Sequence, residues 1–334
     1  MNLVIQSFGS ESEYRRALLT VISFYAHAKT SVAAPTFLFT DSPGYFDGYL
    51  QGLPVTFFEL TSEKIRTMRG HLDFLHRMKI AIIEESFLAC GGNILYADSD
   101  TFFYSDPFAL LNMVSARTSF MHLKEYRFES LTNMKLPAGA PFHAFVKCIS
   151  EHEFSMPDGS RIKVNLDQYS WNAGVMMLDR TVLGLLPYVF ALTDYFFKET
   201  QNHASEQYAF SVILQNHTDL HSCDQVVYHY WYRVKKKIVD DILKREFGPD
   251  FEKMNLEKKM ASVMDLTKEL PHILDEHIFT LRDKAIQAFC EDKFGDGFRF
   301  SIKALAKDPM DKVFLMDFGY HVRRWINNVL HPGR

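Results

Sequence analysis

Cysteine is scarce in this chain. Cys90, Cys148, Cys223 and Cys290 are the only four in 334 residues, and no two form a Cys-x-x-Cys pair. That spacing excludes zinc ribbons and thioredoxin-type redox motifs, and the low count suits a reducing compartment. A dominant charge of one sign is also lacking. The formal net charge is −4, and the one basic cluster, Arg233 with Lys235, Lys236 and Lys237, is short, so no nucleic-acid partner is expected. No apolar run reaches the roughly 18 residues of a membrane span. The opening MNLVIQSFGSES has no basic segment followed by an apolar one, so no signal peptide is expected either. The expectation is a cytoplasmic protein without a membrane span. A repeat is missing too: the stretch 285–309 has the spacing of one tetratricopeptide-like hairpin but no second copy, and a solenoid needs repetition.

What is present is core material. Hydrophobic residues make up 47% of the chain, with 30 Phe and 15 Tyr. That suffices for one large domain plus an appendage, and a Phe-rich core explains most of the aromatics. NLVIQSF, TFLFT and VTFFEL read as strands, and SESEYRRALLTVISFYAHA reads as a helix capped by Ser10 or Ser12. GHLDFLHRMKIAIIEESFLA reads as a second helix, with Leu72, Leu75, Met78 and Ile82 on one side. It leads into the apolar run NILYA. This alternation predicts a mixed, mostly parallel sheet flanked by helices. Between residues 118 and 164 the pattern weakens to one strand, TSFMHL, and the turns PAGAP and MPDGS. YSWNAGVMMLD then gives a strand, ASEQYAFSVILQN a helix capped by Ser205, and DQVVYHYWY a last strand. From about residue 233 charged amphipathic helix dominates. Three helices are expected over 275–330, broken at FGDG and KDP, which puts a domain at 1–237 and a helical C-terminal extension at 238–334.

In sheets of this kind ligands sit at the carboxyl ends of strands. Asp98 and Asp100 fall at such an end, and Phe8 and Asp41 at two others. Residues two apart in an extended segment project to one face. Two carboxylates there make a hard-cation site. An Asp-x-Asp pair is often only a solvated turn, but here apolar residues flank it on both sides, and a cation removes the cost of burying the pair.

At these residues the chain resembles a known group. ILYADSDTFF is similar to the DxD motif strand of nucleotide-sugar glycosyltransferases with the Rossmann-like GT-A fold. The nearest pattern is that of the retaining family 8 type. Four further stretches follow in that family's order. HRMKIAIIEE resembles the helix that places a basic residue near the diphosphate, matching Arg77 and Lys79. WNAGVMMLD matches Asn172, toward the donor sugar, and SEQYAFS matches Glu206 and Gln207. HYWYRVK matches His229 as a third metal ligand and Lys235 as a diphosphate contact. Tyr232 stands where that family has Gly, Glu206 where Asp is usual, and the Pro-Trp after the Lys is absent. The resemblance covers about residues 2–237.

It implies a metal-dependent transferase moving a sugar from a nucleotide-diphosphate donor, UDP foremost, to a carbohydrate or glycolipid hydroxyl. Mn²⁺ or Mg²⁺ would be held by Asp98, Asp100 and His229, and an imidazole ligand favours Mn²⁺. Arg77, Lys79 and Lys235 would meet the negative charge of the leaving group. Phe8, Gly9 and Asp41 would line the base and ribose pocket. Asn172, Glu206 and Gln207 would act at the sugar. Retention is implied, with the leaving diphosphate taking the acceptor's proton. Inversion would need a carboxylate base, for which Glu125, Asp167 or Glu206 could serve.

Each residue also has a plain structural role open to it. Arg77 and Lys79 could be solvated, His229 a satisfied core group, Asn172 a turn residue, and Glu206 a favourable first-turn acid. Trp171 and Trp231 are either packing residues or an acceptor platform. The ending YHVRRWINNVL leaves peripheral membrane contact or self-association to the C-terminal helices. Two rival functions follow. A sugar-phosphate nucleotidyltransferase should carry a Gly-rich loop after strand one, which QSFGSESEYRR lacks. A sugar- or protein-binding module without turnover would keep the same fold.

Overall fold

A computed structural model of the chain describes residues 1–28, 34–134 and 139–330. The turn expected at 137–141 begins outside them. The strands in chain order are β1 (Asn2–Ser7), β2 (Thr36–Thr40), β3 (Val55–Glu59), β4 (Ile94–Ala97), β5 (Thr101–Phe103), β6 (Thr118–Met121), β7 (Lys124–Arg127), β8 (Phe154–Ser155), β9 (Arg161–Ile162), β10 (Tyr169–Trp171), β11 (Val175–Leu178), β12 (Asp219–Ser222) and β13 (Val227–His229). Seven form the main sheet in the order β12-β6-β11-β4-β1-β2-β3. β1 pairs in parallel with β2 and β4, β2 with β3, and β6 with β12, while β11 is antiparallel to both β4 and β6. The chain thus has the mixed, mostly parallel sheet that its sequence pattern predicts, with helices packed against it.

The central strands show why. β1 and β4 are almost wholly buried, as strands covered on both faces must be. Val4, Ile80, Ile83, Phe87, Ile94, Tyr96, Met176 and Phe210 belong to one continuous core. The first helix, Glu11–His27, starts where the Ser10 hydroxyl accepts from the Glu13 amide, and buries Leu18, Leu19, Val21 and Ile22. The helix before β4 is shorter than its periodicity suggests. It spans Arg77–Cys90, because Gly70 and Asp73 take positive φ values of 68° and 51° and turn the chain just before it. Leu75, placed by spacing on the apolar side, is therefore exposed. The helix Ser205–His217 differs at its start: Ala204, not Ser205, stands at the cap position and no side chain caps the first turn, while Asn202 Oδ1 accepts from the Ala204 amide at 2.9 Å in the turn before it.

The reversed strand decides what meets at the sheet edge. Because β11 runs against β4, its first residue pairs with the last of β4, Val175 with Ala97. The segment before β11, residues 172–174, therefore lies at the same edge as the residues that follow β4 and β6.

The chain divides into two compact units, residues 1–229 with 243–264, and residues 230–242 with 265–334. The second unit contains the helices Ile278–Cys290, Phe294–Lys307 and Lys312–Leu330. Its core is Leu281, Ala285, Phe289, Ala304 and Phe314. Gly297 lets the first two of these helices approach, since a Cβ there would enter the Phe289 ring. Val313, Met316, Tyr320, Ile326 and Val329 of the last helix are exposed. Among the described residues no helix is long and apolar enough to cross a membrane.

Candidate metal centre at the sheet edge

β4 ends at Ala97, and Asp98, Ser99 and Asp100 form a turn before β5. The two acids thus converge through a turn, not through strand alternation. The turn is tied down on three sides. The Thr101 hydroxyl donates to the Asp98 carbonyl (2.9 Å), the Ser99 hydroxyl to Glu13 (2.6 Å), and the Thr20 hydroxyl to the Ser99 and Thr101 carbonyls (3.0 and 2.8 Å). Asp100 is the more deeply set acid; its side chain is 7% exposed, against 22% for Asp98. β13 pairs antiparallel with β5, setting His229 opposite Thr101. His229 Nε2 then stands 3.3 Å from Asp100 Oδ1. Ligand atoms of Asp98, Asp100 and His229 all lie within 4.8 Å of one another.

This set fits a divalent cation. Two ligands about 2.1 Å from one ion and at right angles stand about 3 Å apart, close to the Asp100–His229 spacing. The His229 ring is oriented from behind: its Nδ1 lies 2.8 Å from Asn172 Oδ1, the outer-shell contact that metal-binding histidines typically make. Gly174 leaves room for the ring, because a Cβ there would overlap it. Gly174→Ala is therefore expected to displace His229. Manganese affinity, measured by titration calorimetry, should fall at least ~10-fold, with a stability loss of about 1–3 kcal/mol from overpacking.

A second charged group adjoins the acids. Lys79 Nζ lies 3.2 Å from Asp98 Oδ2 and 3.4 Å from Glu206 Oε1, and donates to the Ala173 carbonyl at 3.0 Å. Burial pulls the ammonium pKa down, but Asp98 and Glu206 more than reverse this. Burial pushes the Glu206 carboxyl up to about 7, against the pull of Lys79. Tyr96, whose pKa burial and Asp98 raise, donates its proton to Asp98 Oδ1 at 2.7 Å. Like charges in a dry site push a pKa upward and a counter-ion restrains it; Glu206 feels both.

Arg77 goes elsewhere. Helix positions two apart point about 200° from each other, so Arg77 and Lys79 cannot serve one spot. Arg77 pairs with Asp194 at 2.8 Å, donates to the Met68 carbonyl and covers the Phe190 ring. Lys235 belongs to the second unit and pairs with Asp275 at 3.2 Å. Gln207, one residue on from Glu206, points to another set. Its Nε2 donates to Glu125 Oε2 and to Ser170 Oγ, both at 2.8 Å, and its Oε1 accepts from the Ala173 amide at 3.4 Å. Asp41 closes the loops after β1 and β2, accepting from the Gly9 amide (3.0 Å) and the Tyr14 hydroxyl (2.8 Å). Gly9 holds φ at 87°, which suits glycine. Phe8 packs on the core beside it. Trp171 is a buried member of that core, while Trp231 stacks on Tyr232 in the second unit.

Three neighbours carry no periodic signal in the sequence. His122 follows β6 and meets His229 edge to face, ring centroids 5.4 Å apart; burial and the second imidazole push it down to about 3. Ser170 and Glu125 sit on the paired ribbon β7–β10. A cavity of about 420 Å³ lies within the second unit, lined by Phe279, Arg282, Ile286 and Phe314, and shares no residue with the acid cluster.

No protein-family model and no curated protein matches the chain. Among solved structures it is similar to mouse xyloside xylosyltransferase 1, apo form, at 14% identity over 66% of this chain and 84% of that one, with a TM-score of 0.43. The bifunctional glycosyltransferase WbbM is similar at 14% identity over 66% of this chain and 38% of that one, with a TM-score of 0.42. Both likenesses are of fold alone; the chemistry has to come from this chain's own residues.

Proposed function

We propose that the chain is a metal-dependent glycosyltransferase that moves a sugar from a nucleotide-diphosphate donor, UDP-linked, to a hydroxyl of a carbohydrate or glycolipid. One observation carries this reading: Asp98, Asp100 and His229 converge within ligand distance of one another at the carboxyl edge of a mostly parallel sheet, where nucleotides bind in such folds. These three residues would hold Mn²⁺ or Mg²⁺, which supplies a Lewis acid for the diphosphate.

The remaining roles fall to the chain's own side chains. Lys79, buried beside Asp98, keeps positive charge at this edge. Gly9, Phe8 and Asp41 frame the loops after β1 and β2, where base and ribose would lie. Asn172 and Gln207 would support the sugar side of the site, their amides held by Glu125. In the transfer the bond from C1 to the diphosphate oxygen breaks, its electron pair leaving with the diphosphate. The acceptor oxygen forms the new bond to C1, and its proton passes to the departing diphosphate. Retention goes with this scheme, since both oxygens of Glu125 already accept from Asn172, Ser170 and Gln207 and a free base is not required.

The test is calorimetry with UDP, with and without manganese, followed by a nucleotide-sugar screen that reads UDP release. Tight UDP binding only with manganese, and release from at least one donor, is the expected result. Metal-dependent binding without turnover of any donor would favour a sugar-binding module. Binding indifferent to metal would overturn the reading.

A further inference from the structure

We infer that Glu125 is a positioning residue for the metal centre: through the Asn172 amide it fixes which nitrogen of His229 carries the proton, and so turns the Nε2 lone pair toward Asp100. Three contacts carry this. The Gly174 amide donates to Asn172 Oδ1 at 3.0 Å. A backbone N–H can only donate, so the atom it meets is the amide oxygen. The other end of the same amide, Nδ2, donates to Glu125 Oε1 at 3.3 Å. Glu125 Oε1 accepts that bond, so Asn172 is pinned in one orientation from both sides.

His229 Nδ1 lies 2.8 Å from that pinned oxygen. An amide oxygen cannot donate, so Nδ1 must carry the hydrogen. In the neutral ring, which has one N–H, the lone pair is then on Nε2, 3.3 Å from Asp100 Oδ1. A lone pair aimed at a carboxylate is favourable once a cation lies between them. The ring is thus set as a metal ligand, and the second shell chooses the tautomer.

Glu125 is itself fixed. Its Oε2 accepts from the Ser170 hydroxyl at 3.0 Å and from Gln207 Nε2 at 2.8 Å. A glutamine at this position can offer an N–H toward Asn172, and the Asn172 amide then resists turning only through one backbone bond. Glu125 therefore acts on the metal without touching it. This deepens the metal-dependent reading and rests on it for the second readout below, not for the first.

The experiment uses full-length protein labelled with ¹⁵N at histidine, metal-free, at a pH where the imidazoles are neutral. Two-bond proton–nitrogen correlations separate protonated from lone-pair nitrogens, and His229→Ala assigns the signals. Wild type is expected to show His229 protonated at Nδ1. Glu125→Gln, and separately Asn172→Ala, should mix or invert that pattern, and titration with manganese alone should show about 10–100-fold weaker binding. Wild-type His229 protonated at Nε2, or a Glu125→Gln protein that keeps both the Nδ1–H form and manganese affinity within about threefold, would overturn the inference. Should Glu125→Gln not fold, the wild-type spectrum and Asn172→Ala decide it. If wild type binds no manganese, the metal reading falls, and the tautomer comparison still decides the role of Glu125.

Discussion

Replacing Asp100 with asparagine should abolish manganese-dependent UDP binding and slow donor hydrolysis by on the order of 100-fold or more, without weakening the metal-free fold. The two halves of this prediction come from the same geometry. Asp100 faces His229 Nε2 and lies within ligand distance of Asp98; its charge is what a divalent ion would bind, and an amide carries none. In the metal-free protein, however, two carboxylates crowd one edge, and asparagine relieves that repulsion. Its N–H₂ group can also donate to the Nε2 lone pair. Calorimetry with UDP and manganese reads the first half, and thermal unfolding of the metal-free variant reads the second. Hydrolysis of donor as fast as in wild type would remove Asp100 from the site. A large loss of metal-free stability would show that its role is structural.

Lys79→Met should have the largest effect on stability. Lys79 is 5% exposed, and its ammonium lies between Asp98 and Glu206. Removing one partner of a buried ion pair leaves charge uncompensated, at a cost of about 3–5 kcal/mol. For a unit of this size that corresponds to roughly 6–20 °C in Tm.

The deficit must depend on pH, and Glu206 sets the direction. Its folded pKa is already raised, from 4.5 to about 7. Between those values the folded state keeps a proton that the unfolded state has released, so this group's contribution falls as pH rises through the window, by about 3 kcal/mol in all. Without Lys79 the carboxyl rises further and the window extends above pH 7. Unfolding scans from pH 4.5 to 8 should show the variant closest to wild type at the acid end and furthest from it at the alkaline end. Lys79→Met/Glu206→Gln should recover part of the loss at pH 8. A deficit independent of pH would mean that the lysine stem, not its charge, is what the fold needs.

Some of this was legible in the residues. Short apolar runs alternating with helical periodicity encode the mostly parallel sheet, because a strand buried on both faces must be apolar throughout, as Ile94–Ala97 is. Acids directly after such a run must sit at a strand end, which puts Asp98 and Asp100 at the sheet edge. Local pattern did less well where direction matters. Spacing extended one helix back over Leu72 and Leu75, but positive φ values at Gly70 and Asp73 depend on how the chain must turn to enter the sheet. Arg77 and Lys79 look equivalent as letters. The 200° between their directions on the helix sends one to Asp194 and the other to Asp98.

The sequence by itself determined the apolar strands β1 to β4, β6 and β11, the edge at which the acids emerge, and the supply of carboxylate, imidazole and amide groups that could work there. Only the tertiary structure decided which of them meet. The reversed strand β11 brings Asn172 and Gly174 to the end of β4. The β5–β13 pairing brings His229 from 129 positions away to Asp100. Burial joins Glu125, Ser170 and Gln207 into one network. Polar groups of this kind leave no periodic trace along the chain, because what selects them is the need to satisfy each other out of water, and that need arises only after the sheet has closed around them.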